Sequence, residues 1–133
     1  MDITYVDDQG TYRAGACNIG PAEMARRRTG GFIGVGIALA LAVVLVVLGA
    51  PPWMRLAVVV PLAGGLISLE QVRRRFCVGF AMAGIRNLGP LGSVERVEDA
   101  AARATDRRAA LLLSGYMSAV AAVIAGAFAL LPI

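Results

Sequence analysis

Three long runs without charged residues divide the chain. The first run covers positions 29 to 54 and includes the stretch GFIGVGIALALAVVLVVLGA, bounded by Arg28 and Arg55. A helix rises 1.5 Å per residue, so about 20 apolar residues cross the hydrocarbon core of a bilayer. The run therefore predicts a membrane-spanning helix over roughly Gly31 to Leu48. The prolines of the following GAPP sequence remove backbone donors and end this helix.

The second uncharged run is shorter than a bilayer is thick. It covers positions 56 to 69, between Arg55 and Glu70. Fourteen helical residues are about 21 Å long, whereas the hydrocarbon core is about 30 Å thick. A span in this region must therefore include residues beyond the two charged positions.

Two arrangements of this second segment are open. In the first, Arg55 snorkels outward beside Trp53, and a kinked helix spans positions 53 to 72. In the second, Pro61 and the Gly64-Gly65 pair break the helix into a re-entrant hairpin. We favour the kinked span, and both arrangements return the chain to the side on which it started.

The third uncharged run extends from Ala109 to Ile133 and is long enough to span. The sequence SVERVEDAAARATDRR precedes it and has helical features. Ser93 is a candidate N-cap, Glu95 lies in the predicted first turn, and Asp99 can pair with Arg103 four residues later. These features predict one helix from Val94 to near Leu131, with its first turns in water.

The polar parts of the chain predict short elements. Ile3 to Val6 and Thr11 to Ala14 flank DDQG and predict a β-hairpin, with a frayed terminus as the alternative. The GPAE sequence that starts at Gly20 predicts a helix start, with proline first and an acid in the first turn. Positions 76 to 85 are apolar but too short to span, so they predict a helix in the membrane interface or tucked beneath the bundle. The NLGPLG sequence then predicts a turn.

Composition places these runs in a membrane protein. Hydrophobic residues make up 58% of the 133 residues, charged residues 17%, and the mean hydropathy is +0.71. A soluble domain of this length cannot bury so much apolar surface. The sequence therefore predicts an all-α membrane protein with three transmembrane helices, a cytoplasmic interfacial segment and a short N-terminal β-hairpin.

The charge distribution predicts orientation. The net charge is +4, and all thirteen basic residues are arginines at the edges of the apolar runs. Twelve of them fall on one side if positions 1 to 28 and 70 to 108 share that side, whereas only Arg55 falls on the other. Positive charge marks the cytoplasmic side, so the N-terminus is expected inside and the C-terminus outside. Aromatic residues make up only 6%, and no recognition module is present, so we expect no nucleic-acid partner.

The chain divides accordingly into four predicted regions. Positions 1 to 28 form a cytoplasmic segment, and positions 29 to 72 form a transmembrane helical hairpin. Positions 73 to 108 form the cytoplasmic interfacial segment with an amphipathic helix, and positions 109 to 133 form the third transmembrane helix.

Few residues carry candidate chemistry. Cys17 and Cys77 are both predicted at the cytoplasmic boundary, either as a candidate thiol pair or as small buried residues. The chain has no histidine, and two thiols are too few for a dedicated metal site, so we expect no cofactor. Glu70 is the only acid close to a span. A boundary ion pair with neighbouring arginines is a better interpretation of it than a proton relay.

Two further groups of residues suggest contacts with surroundings. The arginine runs are expected to contact lipid headgroups; they are Arg26, Arg27, Arg28, Arg73, Arg74 and Arg75. Rows of small residues at helical spacing permit close helix packing, either within the bundle or against another membrane subunit. These rows contain Gly30, Gly34 and Gly36 in the first helix, and Ser114, Ser118, Ala122 and Gly126 in the third.

The sequences CNIGPAEMARRR and RRFCVGFAMAGIRNLG together carry a resemblance. They resemble a group of small uncharacterised bacterial inner-membrane proteins with a cysteine, an IGPAE-type opening and an arginine run before a helical hairpin. They also look distantly similar to the two-helix membrane domain of bacterial membrane-bound rhodaneses. The chain has no rhodanese domain, and it lacks the Cys-Pro pair of that second group. The resemblance therefore implies the helical-hairpin architecture and a bacterial inner membrane, and it suggests no particular activity.

These observations favour a non-enzymatic function. The expected protein is an accessory or scaffold subunit of a larger membrane complex, or a small homo-oligomer. It is expected to contact membrane lipids, and to contact its partner through the small-residue faces. One alternative is a redox or sulfur-relay function of Cys17 and Cys77. Another is a small oligomeric transporter with Glu70 as a gate and Gly64-Gly65 as a flexible break.

Overall fold

The computed structural model describes residues 12 to 133, and within them the fold is built on three long helical segments. The first is α1 and the third is α5, whereas the second combines α2, a 3-10 turn and α3. A short helix and two short strands connect α3 to α5. The bounds are Pro21–Val47 for α1, Pro52–Arg55 for α2, Leu56–Val58 for the 3-10 turn, Val59–Arg74 for α3, Val78–Ala83 for α4, Ile85–Arg86 for β1, Glu95–Arg96 for β2 and Ala100–Ala129 for α5.

Helix α1 begins where the sequence predicts a helix start. Gly20 is its N-cap, Pro21 is the first helical residue and Glu23 lies in the first turn. The helix then continues through the arginine run into the apolar run for 27 residues. The opening helix and the span predicted from Gly31 are therefore one element. It ends before Gly49, which has φ of +67° and leads into the two prolines.

The second segment is helical along its whole length, so the re-entrant hairpin is not formed. Residues Pro52–Arg74 form one helical run of 23 residues. Its irregular turn is the 3-10 turn Leu56–Val58, and Gly64-Gly65 lies inside regular helix. Pro61 explains this position, because it has no N–H to donate to the carbonyl of Ala57.

Arg55 does not snorkel outward as predicted, because it packs against the end of α5. It is only 5% exposed, and its Nη1 donates to the carbonyl oxygen of Leu131 at 3.1 Å. Its Nη2 donates to the main-chain oxygen of Ile133, and its guanidinium lies 5.8 Å from the ring of Phe128. Leu131 and Ile133 follow the end of α5 at Ala129, so Arg55 joins the second segment to the residues after α5.

Helix α5 starts later than predicted. It begins at Ala100, and the Asp99 side chain caps it by accepting from the N–H of Ala102 at 3.2 Å. Ser93 is not the N-cap, because it lies in a turn in which its N–H donates to the carbonyl of Pro90. Aspartate and serine cap helices about equally well, so tertiary contacts decide between them.

A strand occupies the residues predicted as the first turn of this helix. Glu95 and Arg96 of β2 pair with β1 in an antiparallel sheet of two strands. Arg103 also departs from the prediction, since its Nη1 donates to the carbonyls of Val97 and Glu98, at 2.7 and 2.9 Å, rather than to Asp99. The sheet holds positions 95 to 97 extended and so delays the helix.

Most of the predicted N-terminal hairpin lies outside the described residues. Ile3 to Val6 and the DDQG turn precede the first described residue, Tyr12. The described part shows a tight turn in which Arg13 and Cys17 form an antiparallel bridge.

Helix α3 lies between α1 and α5 and packs against both. One apolar cluster lies between the three long segments and includes Ala38, Leu62 and Ala121. A second cluster joins Phe76 and Ala81 to α5 at Ala110 and Leu113. Helix α4 is therefore tucked against α5, as one of the two predicted alternatives has it.

The three long helical segments expose most of their apolar surface. Each is long and apolar enough to cross a membrane, and in their most apolar stretches only 17%, 22% and 22% of the residues are buried. Arg55 lies at one end of the molecule. The other described charged residues lie at the opposite end, which we call the arginine-rich end. It comprises residues 12 to 20, the start of α1, the end of α3, α4, both strands and the start of α5.

Candidate functional site

The arginine-rich end contains a buried group of side chains that we call the polar cluster, made of Asn18, Glu23, Arg27, Cys77 and Asn87. Four of these residues are buried: Asn18 and Asn87 are 0% exposed, Glu23 is 2% exposed and Cys77 is 4% exposed. Such complete burial of polar groups is unusual unless each of them is hydrogen-bonded. The partners of each residue therefore define what the cluster does.

Asn18 binds the backbone of Cys77 in the manner of a β-strand. Its Oδ1 accepts from the N–H of Cys77 at 2.6 Å, and its Nδ2 donates to the carbonyl of the same residue at 3.2 Å. Its own backbone N–H donates to the carbonyl of Arg75, and its carbonyl accepts from the N–H of Asn87. One residue thereby ties the segment before α1 to the connections on both sides of α4.

Asn87 completes this connection from the other direction. Its Nδ2 donates to Glu23 Oε2 at 3.0 Å and to the carbonyl of Pro90 at 2.9 Å, and its Oδ1 accepts from the N–H of Gly89 at 3.0 Å. Its carbonyl also accepts from the N–H of Gly20 at 2.9 Å. A Cβ on Gly20 would lie 2.5 Å from the carbonyl oxygen of the next residue, Leu88, so this approach requires glycine.

Arg27 links the acid of the cluster to its thiol. The guanidinium forms an ion pair with Glu23 through Nη1, and Nη2 donates to Cys77 Sγ at 2.7 Å. It also lies 5.1 Å from the centre of the Phe80 ring. The same sulfur accepts from the N–H of Phe80 at 3.5 Å, which makes Cys77 the N-cap of α4. Arg27, one of the arginines predicted to contact lipid headgroups, is thus engaged by partners inside the protein.

Both cysteines are free thiols at the arginine-rich end. Cys17 is fully buried, and its Sγ contacts the carbonyl of Ile19 at 3.9 Å. Its neighbour Asn18 holds the Cys77 backbone, so the fold brings the two cysteine segments together. Each sulfur has its own partners, and both are shielded from solvent.

A second buried polar contact anchors the start of the described chain to α5. Asp106 is 0% exposed and accepts from the Tyr12 hydroxyl and from the N–H of Gly15, both at 2.6 Å. Burial raises the pKa of Tyr12, and the hydrogen bond to Asp106 adds to this effect because the carboxylate disfavours phenolate. The Arg86 guanidinium lies 5.0 Å from the Tyr12 ring and opposes the shift by favouring phenolate.

The arginine run at the end of α3 is engaged by partners within the protein. Glu70 accepts from Arg73 Nε at 2.9 Å and from Arg74 Nε at 2.6 Å, so the ion-pair interpretation of Glu70 is confirmed. Arg75 ends α3 in the left-handed conformation with φ of +56°, and its carbonyl accepts from Asn18. Arg26 and Arg28 of the first run are exposed.

The small residues of α1 make its closest contact with α3. A Cβ on Gly34 would lie 2.8 Å from the Cα of Gly65, and one on Gly31 would lie 2.6 Å from Leu69. Gly30 is exposed, and Gly36 has no atom within 4 Å of such a Cβ. The two glycines of α1 that approach α3 closely are therefore Gly31 and Gly34. The sequence predicted Gly34 but named Gly30 in place of Gly31.

The small-residue row of α5 lies outside the packed interface. Ser118 and Ala122 are exposed, and Ser114 and Gly126 are half-buried. The residues that α5 buries form a neighbouring row, namely Ala102, Asp106, Ala110, Leu113, Ala121, Ala125 and Ala129. The bundle therefore leaves the predicted row available for contacts beyond this chain.

Sequence reasoning missed the buried polar residues Asn18, Glu23, Asn87 and Asp106 as a group. Asn18 and Asn87 each stand among apolar and glycine residues, in CNIG and IRNLG, which is the one signal of burial that the sequence contains. Asp106 lies four residues from both Ala102 and Ala110, on the face that α5 buries. The contacts that tie these residues to other segments join positions 59 to 94 apart in sequence, so local patterns contain no record of them.

The buried side-chain nitrogen and oxygen atoms of the polar cluster all have hydrogen-bond partners within the described protein. Within residues 12 to 133, the buried side-chain nitrogen or oxygen atoms without a hydrogen-bond partner are Nε of Arg55 and Nε of Arg86, and neither belongs to the cluster. The same residues contain no group of three or more His, Cys, Asp or Glu side chains suited to a metal ion. The cluster is therefore arranged to hold four segments together.

Comparisons with protein-family models, with curated proteins and with solved structures find no match.

Proposed function

We propose that this chain is a three-span integral protein of the bacterial inner membrane that acts without catalysis, as an accessory or scaffold subunit or as a small homo-oligomer. Three helical segments of spanning length with largely exposed apolar surfaces support the membrane part of the proposal. The bacterial inner membrane is inferred from the resemblance of the CNIGPAE and FCVGFAMAGI regions.

The orientation in this proposal has the arginine-rich end in the cytoplasm. Twelve of the thirteen arginines belong to that end by sequence, and Arg55 belongs to the other. Arg26, Arg27 and Arg28 precede the first apolar run, which usually dominates the orientation of a multi-span protein.

The exposed row on α5 is the observation that carries the scaffold or oligomer part. Ser118 and Ala122 are exposed although small residues permit the closest approach between membrane helices. Elsewhere on the same helix, Tyr116, Val120 and Val123 help to line a shallow apolar depression of about 260 Å³. A membrane helix from another chain fits such a surface better than a reactive substrate does.

The alternatives have less support in the described geometry. A thiol function needs an accessible sulfur, whereas Cys17 and Cys77 are 0% and 4% exposed. A transport function needs a free acid and a flexible break, whereas Glu70 is paired with two arginines and Gly64 lies within regular helix.

Association through α5 is tested by native mass spectrometry after release of the protein from its membrane in a mild detergent. We expect a complex, either of several copies or with a larger membrane protein. Ala122→Phe should abolish it because the ring prevents close helix approach. Val43→Phe is the matched control, since Val43 is 62% exposed on α1, away from the row. A strictly monomeric wild-type chain, or equal loss in both variants, contradicts the proposal.

A further inference from the structure

The arginines of the arginine-rich end fall into two groups. Most are held by groups of the protein itself, as described for Arg27, Arg73 and Arg74, and Arg103 donates to two carbonyls. Five others have exposed side chains that make no hydrogen bond, ion pair or ring contact within the described part of the chain, and four of the five lie on the long helices α1 and α5. We call these four the collar, and they are Arg26, Arg28, Arg107 and Arg108.

The collar stands at the edge of the apolar surface on two different helices. Arg28 is the last charged residue before the uncharged positions 29 to 54 of α1, and Arg108 is the last before positions 109 to 133 of α5. The collar therefore consists of two patches, one on each of the two long helices that pack against α3. Both patches therefore adjoin the surfaces that the proposed function assigns to lipid.

The acids near the collar do not neutralise it. On α1, Glu23 is buried and engaged by Arg27 and Asn87. On α5, Asp106 is buried and engaged by Tyr12 and Gly15. On α3, Glu70 is engaged by Arg73 and Arg74. The other described acids are Glu95, which pairs with Arg86, and Glu98 and Asp99, which precede α5 and form no ion pair with a collar arginine. The four collar guanidiniums are consequently positive charges without an ion-pair partner in the described protein.

We propose that the collar binds the phosphate groups of anionic phospholipid headgroups. This inference rests on the proposed function, because the collar meets headgroups only if the three segments span. A guanidinium binds a phosphate with two parallel hydrogen bonds, and positions at the end of an apolar span lie at headgroup depth. The inference also replaces part of the sequence prediction. Arg27 leaves the set of lipid contacts because it is engaged in the polar cluster, while Arg107 and Arg108 join it.

The experiment compares lipid preference in reconstituted protein. The full chain is placed in phosphatidylcholine vesicles that contain spin-labelled phosphatidylglycerol or spin-labelled phosphatidylcholine, and electron paramagnetic resonance measures the motionally restricted fraction of each. We expect the wild type to prefer phosphatidylglycerol and the preference to fall as salt rises. Removal of one collar arginine should weaken its headgroup contact by up to about fivefold.

The matched pair of variants is Arg108→Gln and Arg96→Gln. The side chain of Arg96 is also exposed and has no hydrogen-bond or ion-pair partner in the described chain. Arg96 lies at the same end, but it belongs to β2 rather than to one of the long helices. Both variants remove one positive charge. We expect Arg108→Gln to reduce the phosphatidylglycerol preference and Arg96→Gln to leave it unchanged. An equal reduction in both variants would mean that net charge alone acts, and the inference would be wrong.

Three further outcomes complete the test. Removal of all four collar charges should abolish the preference, and its persistence overturns the inference. Inorganic phosphate should compete weakly, and full competition at low concentration would make free phosphate the ligand instead. Extraction of wild-type protein from membranes by alkaline carbonate would contradict the proposed function itself. Retention in the membrane without a lipid preference would contradict the collar alone.

Discussion

At the scale of single residues, buried amides connect distant parts of this chain. Asn18 uses both ends of its amide on the backbone of Cys77, and Asn87 uses its amide on Glu23 and on the turn at Pro90. A neutral amide suits this position because it donates and accepts at once without the cost of burying a charge. The segment before α1 is thereby held in place by polar contacts rather than by apolar packing.

Asn18→Ala should lower the free energy of unfolding by about 1–3 kcal/mol, because it leaves the buried N–H and carbonyl of Cys77 without partners. Chemical unfolding in detergent measures this change. The same variant should raise the rate at which maleimide alkylates Cys77, as followed by mass spectrometry of the cysteine peptides. Thr29→Ala is the control, because its side-chain hydrogen bond to Ala25 is exposed and its loss should cost less than about 0.5 kcal/mol. Equal stability of the two variants would contradict a structural part for Asn18.

At the scale of elements, two adjacent glycines of α3 have opposite surroundings. A Cβ on Gly65 would lie 2.7 Å from the backbone nitrogen of Val35 and 3.0 Å from the carbonyl oxygen of Gly31. A Cβ on Gly64 would have no atom within 4 Å. The contact of α1 with α3 is thus a backbone-to-backbone approach at Gly65, which cannot accept a methyl group unless the helices separate.

Gly65→Ala should therefore destabilise the protein by about 1–3 kcal/mol, as overpacking in a rigid interface does. Gly64→Ala should be neutral or stabilising by up to about 1 kcal/mol, because alanine favours helix. Thermal unfolding of the two variants in the same detergent measures the difference. If Gly64→Ala proved as damaging as Gly65→Ala, the glycines would act through helix flexibility instead of close packing.

At the scale of the whole molecule, the three helical segments alternate in direction between two unlike ends. The arginine-rich end carries both strands, α4 and the polar cluster, whereas the other end carries the connection from α1 to α2 and the contact of Arg55 with Leu131. Under the proposed function, the end with many arginines is expected in the cytoplasm, because positive charge marks that side of a membrane protein. An odd number of spans then sends the two chain ends to opposite sides.

Reporter fusions test this orientation directly. A reporter that is active only outside the cytoplasm should be active after Ile133 and silent before Met1. A reporter that fluoresces only in the cytoplasm should give the reverse pattern, and both fusions should be retained in the membrane fraction. A silent external reporter at Ile133 with an active one at Met1 would reverse the orientation, and would remove the cytoplasmic position of the collar.

Much of the architecture follows from local sequence. The three uncharged runs, the Pro21 start of α1 and the prolines after Gly49 predict helices whose length and ends the structure largely reproduces. These features depend on hydropathy and on backbone chemistry, which act over a few consecutive residues. The same local reasoning placed the Glu70 ion pair correctly, because its partners lie within one helical turn.

Other features were decided only by tertiary structure. Asn18 and Asn87 are buried and connect several segments because their side chains form hydrogen bonds with segments about 60 residues away. Pairing of β2 with β1 moved the start of α5 from Val94 to Ala100, although Ser93 is itself an acceptable cap. The buried face of α5 is likewise set by α3 and α4 rather than by the row at Ser114 and Gly126. Hydropathy determines that a helix spans, but the direction of each side chain within the bundle depends on neighbours that are distant in sequence.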